Sequence, residues 1–135
     1  MGTWGSGPFE NDGAADFVTD AMAMPAPTIA QALLAIADAA PDAYLEVDDG
    51  EHAVAAAELV ALGFGYGKLD DVTANVRRLV RTLGPNEDLR VLALRAMPRL
   101  LDAETSELAQ LWGEGDDDEF EPAIRDLIER LTEAG

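Results

Sequence analysis

Glu58 is the single ionisable residue in the run AVAAAELVAL at 53–62. A carboxylate among apolar side chains needs partners, because burying it unpaired is costly. Two kinds of chemistry fit it. Desolvation can raise its pKa and make it a general acid or base, with Glu46 or Asp16 as a second carboxylate. The alternative is structural: Glu58 accepts backbone N–H groups from the Thr3–Gly7 loop, or the Trp4 indole, and pins the N-terminal segment to the core. The second reading is preferred, since no nucleophile motif accompanies the carboxylates.

The other chemical candidates are weaker. His52 is the only histidine, near Asp48, Asp49 and Glu51, whereas triads and zinc hydrolase sites need a partnered histidine or further ligands. It reads as a polar residue at a helix start. The acidic run Asp116–Glu119 with Glu121 lacks the glycine that a calcium loop requires at its sixth position, where Glu121 stands. It reads as a solvated entry to a helix. Gly63, Gly65, Gly67 and Lys68 imitate a phosphate-binding loop, but Leu62 and Leu69 occupy the positions of its first glycine and its Ser or Thr. This segment is expected to be a turn. The opening MGTWGS fits a myristoylation pattern, yet no basic patch accompanies it, and one acyl chain alone binds membranes marginally. The chain has no cysteine, which excludes disulfides, thiolate metal sites and thiol nucleophiles. No catalytic residue, metal or cofactor is assigned.

These residues must be positioned by helices. The chain has 135 residues, 48% of them hydrophobic and only 6% aromatic, and its many alanines favour closely packed helices over a sheet. Residues 1–11 form a turn-rich lead-in with Trp4 and Phe9 as anchors. Asn11 or Asp12 caps a first helix to about Ala23, with Asp16 in its first turn and Ala14, Phe17, Ala21 and Met24 on its apolar face. Pro25 and Pro27 break it, and Thr28–Gln31 has the spacing of a capping box for a second helix to Ala40. The connector DAYLEV is a short strand or an irregular loop. Asp48–Glu51 repeats the capping spacing and opens an alanine-rich helix to Phe64. Asp70 or Asp71 caps a fourth helix, with Val76, Leu79 and Val80 inside and Arg77, Arg78 and Arg81 outside, ended by Gly84-Pro85. A fifth starts near Asn86 and is kinked or ended at Pro98. A sixth spans about 103–113, with Leu108, Leu111 and Trp112 apolar. Residues 116–119 lead to a last helix striped by Phe120, Ile124, Leu127, Ile128 and Leu131. The expected fold is all-α, a single domain over 1–135 built as an array of six or seven short helices.

The net charge is −18, which opposes binding to nucleic acid or anionic membranes. It is unevenly spread. Residues 1–67 hold eleven acids and no lysine or arginine; residues 68–99 carry a net +3; residues 100–135 carry a net −10. The arginines of the middle segment are expected to pair with acidic neighbours when the helices pack. No apolar stretch reaches the ~20 residues of a membrane span and no signal peptide is apparent, so a cytoplasmic location is expected.

The opening MGTWGSGPFENDGAADF resembles the signature of a bacterial and archaeal family of small proteins, domain of unknown function 4259. The segments AYLEVDDGEHAVAAAELVAL at 43–62 and SELAQLW at 106–112 resemble the same family, so the likeness runs along the whole chain. It implies no activity. The first expectation is a non-enzymatic interaction module that binds a basic protein partner, in the manner of an immunity protein or a nucleic-acid mimic. The second is a carboxylate-based or metal-assisted hydrolytic enzyme. In either case the binding residues proposed from sequence are Trp4, Asn11, Asp12, Asp16, Glu46 and Glu58.

Overall fold

Eight consecutive residues, Ala55 through Leu62, are buried, so the helix that contains them has no solvent face along that stretch and must lie at the centre of the others. The computed structural model describes residues 12–66, 74–102, 104–113 and 120–134. Its helices are α1 (Asp12–Ala21), α2 (Pro25–Ala37), α3 (Val47–Gly63), α4 (Ala74–Leu83), α5 (Glu87–Ala96), α6 (Glu107–Gly113) and α7 (Phe120–Ala134), with a 3-10 turn at Met97–Leu101 between α5 and α6. Among the described residues there is no strand, only one isolated parallel bridge between Leu45 and Ser106. The fold is all-α, as expected.

The central helix is α3, and every other helix packs on it. Ala53, Ala55, Ala56, Ala57 and Ala61 are fully buried, and their small side chains let several helices approach at once. The closest approach is at Gly63, where a Cβ would lie 2.5 Å from the Gly84 carbonyl oxygen. Around this axis each neighbour contributes one stripe: Phe17, Val18 and Ala21 from α1; Ile29, Leu33 and Ile36 from α2; Val76, Leu79 and Val80 from α4; Leu89, Ala93 and Ala96 from α5; Ile124, Leu127 and Leu131 from α7. These are the helical-period positions, and burial of such side chains contributes roughly 1.5–3 kcal/mol each before the entropy of ordering is subtracted.

Several boundaries differ from the expected ones for local reasons. Proline begins α2 instead of preceding it, because Pro25 occupies the first turn, where no N–H is needed. Thr28 is therefore inside the helix, and its N–H donates to the Met24 carbonyl at 3.1 Å. Met24 itself is exposed at 60% rather than lying on the buried face of α1. Asn86 does cap α5, its Oδ1 accepting from the Leu89 N–H at 3.1 Å. At Pro98 the α-helix gives way to the 3-10 turn, which retains Met97 and Leu100 in the core.

Candidate functional site

The polar groups of interest collect at the two ends of α3. At its C-terminal end the chain turns through Gly65, whose φ of +87° is a left-handed conformation that glycine adopts without strain. The Gly65 N–H donates to the Leu62 carbonyl at 2.9 Å and the Tyr66 N–H to the Ala61 carbonyl at 3.0 Å, the paired bonds of a Schellman turn. Arg130 of α7 reaches this turn. Its Nη1 donates to the Tyr66 carbonyl at 3.0 Å and to Glu58 Oε2 at 2.5 Å. Its Nη2 donates to Glu58 Oε1 at 2.8 Å, and its Nε to Asp126 Oδ2 at 2.9 Å. Both oxygens of Glu58 are thus held by one guanidinium in the bidentate form that matches the two groups. The Glu58 hydrogen bonds raise the Arg130 pKa above its ordinary value, against the opposing effect of partial burial.

At the N-terminal end, the connector before α3 is clamped to the segment before α6. The Leu45 N–H donates to the Thr105 carbonyl at 2.7 Å, and the Glu107 N–H to the Leu45 carbonyl at 2.9 Å. Glu107 then returns its carboxylate, which accepts the Val47 N–H at 2.8 Å. The expected cap at Asp48 is not the one used. Helix α3 starts at Val47, its N-cap residue Glu46 makes no side-chain cap bond, and the carboxylate comes from α6, where it also meets the positive end of the helix. Ser106, buried, accepts the Ala109 N–H at 3.2 Å and so caps α6 in turn. Leu108 closes the junction against Gly50, where a Cβ would come within 3.2 Å of its side chain. Tyr44 donates its hydroxyl to Gln110 Oε1 at 3.0 Å. Partial desolvation, and then the Glu107 and Glu46 carboxylates, push its phenol above the ordinary value.

The sequence-derived residues do not form one cluster. Glu46 and Glu58 lie twelve positions apart on and beside the same helix, which is about 18 Å along its axis. Glu46 and Asp16 are exposed, while Glu58 is buried and paired. Asp12 begins α1; its side chain, Trp4, Asn11 and the acidic run 116–119 lie outside the described residues. The proposed contact of Glu58 with the Thr3–Gly7 loop falls there too. The partner that the structure gives Glu58 is Arg130, which sequence spacing could not indicate across 72 positions. His52 stacks on Phe17 of α1 with ring centroids 5.6 Å apart. Among the described residues no three His, Asp or Glu side chains gather closely enough to hold a metal ion, and no helix is long and apolar enough to cross a membrane.

The basic residues follow a pattern that sequence reading missed. Helices α2, α3 and α7 have no basic residue in their last turn, and each receives an arginine from elsewhere. Arg99 donates through Nη1 to the Ile36 carbonyl at 2.7 Å and to the Ala39 carbonyl, and through Nη2 to the Ala40 carbonyl at 2.7 Å. Arg130 serves the exit of α3, and Arg90 donates to the Leu131 carbonyl of α7 at 3.0 Å. Cations are stabilised there by the orphan carbonyls and the negative helix end. Carboxylate pairing, the expected use, is also present, in Arg95–Asp38 at 3.0 Å and in Arg90–Glu87.

Residues 2–122 match the family model described as Domain of unknown function (DUF4259), and the chain belongs to that family. No curated protein and no solved structure matches it. The segments 43–62 and 106–112, picked out by their likeness to this family, are the two that meet at the N-terminal end of α3.

Proposed function

We propose that this member of the DUF4259 family is a non-enzymatic, cytoplasmic interaction module whose acidic surface binds a basic protein partner. The observation that carries this reading is the surplus of acids over bases on the described surface. Arg90, Arg99 and Arg130 spend donors on helix ends and on Glu58, and Arg77, Arg78, Arg81, Arg95 and Arg125 are exposed, but so are Asp16, Asp20, Asp42, Glu46, Asp48, Asp49, Asp102, Glu104, Glu129 and Glu133. The described surface is therefore net negative, as the composition implies. Such a surface repels nucleic acid and attracts cationic protein faces over about a Debye length. A hydrolytic reading needs Asp16, Glu46 and Glu58 to converge, and no observation favours it.

Capture from native extract on the immobilised full chain, washed at low and then high salt and read by mass spectrometry, tests the proposal. One stoichiometric basic protein released by salt is the expected result. Recovery of nothing above background at low salt, or of acidic proteins that resist salt, would overturn it.

A further inference from the structure

We infer that the corner made by the 41–49 connector and the outer face of α6 is the docking surface, and that it takes a basic amphipathic segment of a protein partner. The inference rests on the acidic-module reading and adds a place and a second chemistry to it. The apolar part comes first. Tyr44 is 52% exposed and Leu111 49% exposed, and Leu111 stands one helical turn beyond Glu107, beside Gln110. The helical pattern of α6 assigns Leu111 to the buried side with Leu108, yet only Leu108 is covered. Tyr44 is held in place through Gln110, and its backbone neighbour Leu45 is fixed to Thr105 and Glu107. Tyr44 is thus held before a partner arrives, which lowers the entropic cost of binding, and tyrosine is among the residues enriched in binding hot spots.

Charge names the occupant. Residues 41–52 and 102–111 contain eight acids, Asp42, Glu46, Asp48, Asp49, Glu51, Asp102, Glu104 and Glu107, and no lysine or arginine. The bridge between Leu45 and Ser106 brings the two segments together. The two segments that carry Tyr44 and Leu111 are accordingly acidic, and after desolvation it is Glu107 and Glu46 that raise the Tyr44 phenol. Of the other exposed large apolar residues, Met24 stands at the start of α2, and Leu34 and Val91 stand one turn from Asp38 and Arg95 of the neutralised pair Arg95–Asp38. An apolar side chain flanked by lysine or arginine fits the first surface and gains nothing at the second.

The test titrates the isotope-labelled full chain with two probes at low salt: a helical peptide of lysine and leucine with its leucines on one face, and oligolysine of equal charge. The expected result is about tenfold tighter binding of the amphipathic peptide, with amide shifts confined to residues 44–49 and 107–111. Tyr44→Ser and Leu111→Ser each weaken it about tenfold, while Leu34→Ser and Val91→Ser leave it unchanged. Equal affinity for both probes, wild-type binding by Tyr44→Ser and Leu111→Ser, or shifts centred on Leu34 and Val91 would overturn the corner while leaving an acidic binding module in place. Concentration-dependent shifts at Tyr44 and Leu111 without peptide would assign the corner to a second copy of the chain instead. No binding of either probe would remove both proposals.

Discussion

At its C-terminal end α3 presents a carboxylate, Glu58, to an arginine from α7; at its N-terminal end it receives a carboxylate, Glu107, from α6. The first arrangement is buried, with Glu58 at 10% and Arg130 at 23% side-chain exposure. The second lies partly open, beside Tyr44 and the exposed Glu46, Asp48 and Asp49. One satisfies the first N–H of α3 and the other a carbonyl of the turn just beyond it, yet they differ in what surrounds the charge. Desolvation at the C-terminal end makes the pair a fixed structural joint. At the N-terminal end the same chemistry leaves apolar and anionic surface turned outward. A polar residue that looks functional in sequence can thus be the structural one, and the reverse.

The largest expected effect breaks the buried joint. Arg130→Ala strands Glu58 as an unpaired buried charge and should lower stability by about 3 kcal/mol or more. Glu58→Gln should cost less, because Arg130 retains Asp126 and the Tyr66 carbonyl and is the more exposed partner. The paired replacement Glu58→Leu with Arg130→Met should recover most of the loss, since well-packed apolar groups avoid the desolvation of both ions. Urea unfolding at constant m-value measures all three. Losses below about 0.5 kcal/mol for Arg130→Ala, the range of an ordinary surface change, would mean that the two ends of α3 do not differ in kind.

A smaller effect is expected at the open end. Glu107→Ala removes a charged acceptor from the first turn of α3 and should cost about 1 kcal/mol. Two local readouts separate a lost cap from general loosening. Hydrogen exchange at the Val47 amide should quicken more than at Leu59. The Tyr44 phenol should titrate at lower pH once the neighbouring negative charge that disfavours its phenolate is gone. An unchanged Tyr44 titration together with uniformly faster exchange would show that Glu107 acts only through folding.

How much of this was legible depended on range. Stripes such as Ile29, Leu33 and Ile36, or Ile124, Leu127 and Leu131, could be read because helical period is a local signal. The start of α5 near Asn86 and the break at Pro98 are local too. The start of α2 was misjudged because proline was read as a breaker where its fixed φ suits a first turn. The start of α3 was missed because its capping carboxylate stands 60 positions away. Glu58 was rightly singled out as a carboxylate needing a partner. No local pattern names Arg130; the partners expected from sequence were the Thr3–Gly7 loop or Trp4, and Glu46 or Asp16 as a second carboxylate. The corner at Tyr44 was overlooked for a related reason: Leu111 fits the apolar period of α6, and only tertiary structure shows that nothing described covers it.

The smallest effect concerns Arg90, a counterpart of Arg130 whose glutamate partner is exposed. Arg90 also holds a carbonyl at a helix end, that of Leu131, and also pairs with a glutamate, Glu87. Here the glutamate is one turn away on the same helix and open to water. The Arg90 hydrogen bond holds the Glu87 carboxyl below its ordinary pKa. A carboxyl depressed on folding contributes stability above its unfolded pKa and loses it as pH falls through the folded value. The advantage of wild type over Glu87→Gln should therefore be constant near neutrality and shrink in acid. Protonating the many other surface carboxylates relieves self-repulsion in both proteins alike, so the difference between their melting temperatures isolates Glu87. A difference that widened in acid would reverse the assigned sign. One as large as that for Arg130→Ala would erase the distinction between a buried joint and a solvated one, since exposed pairs of this kind contribute little.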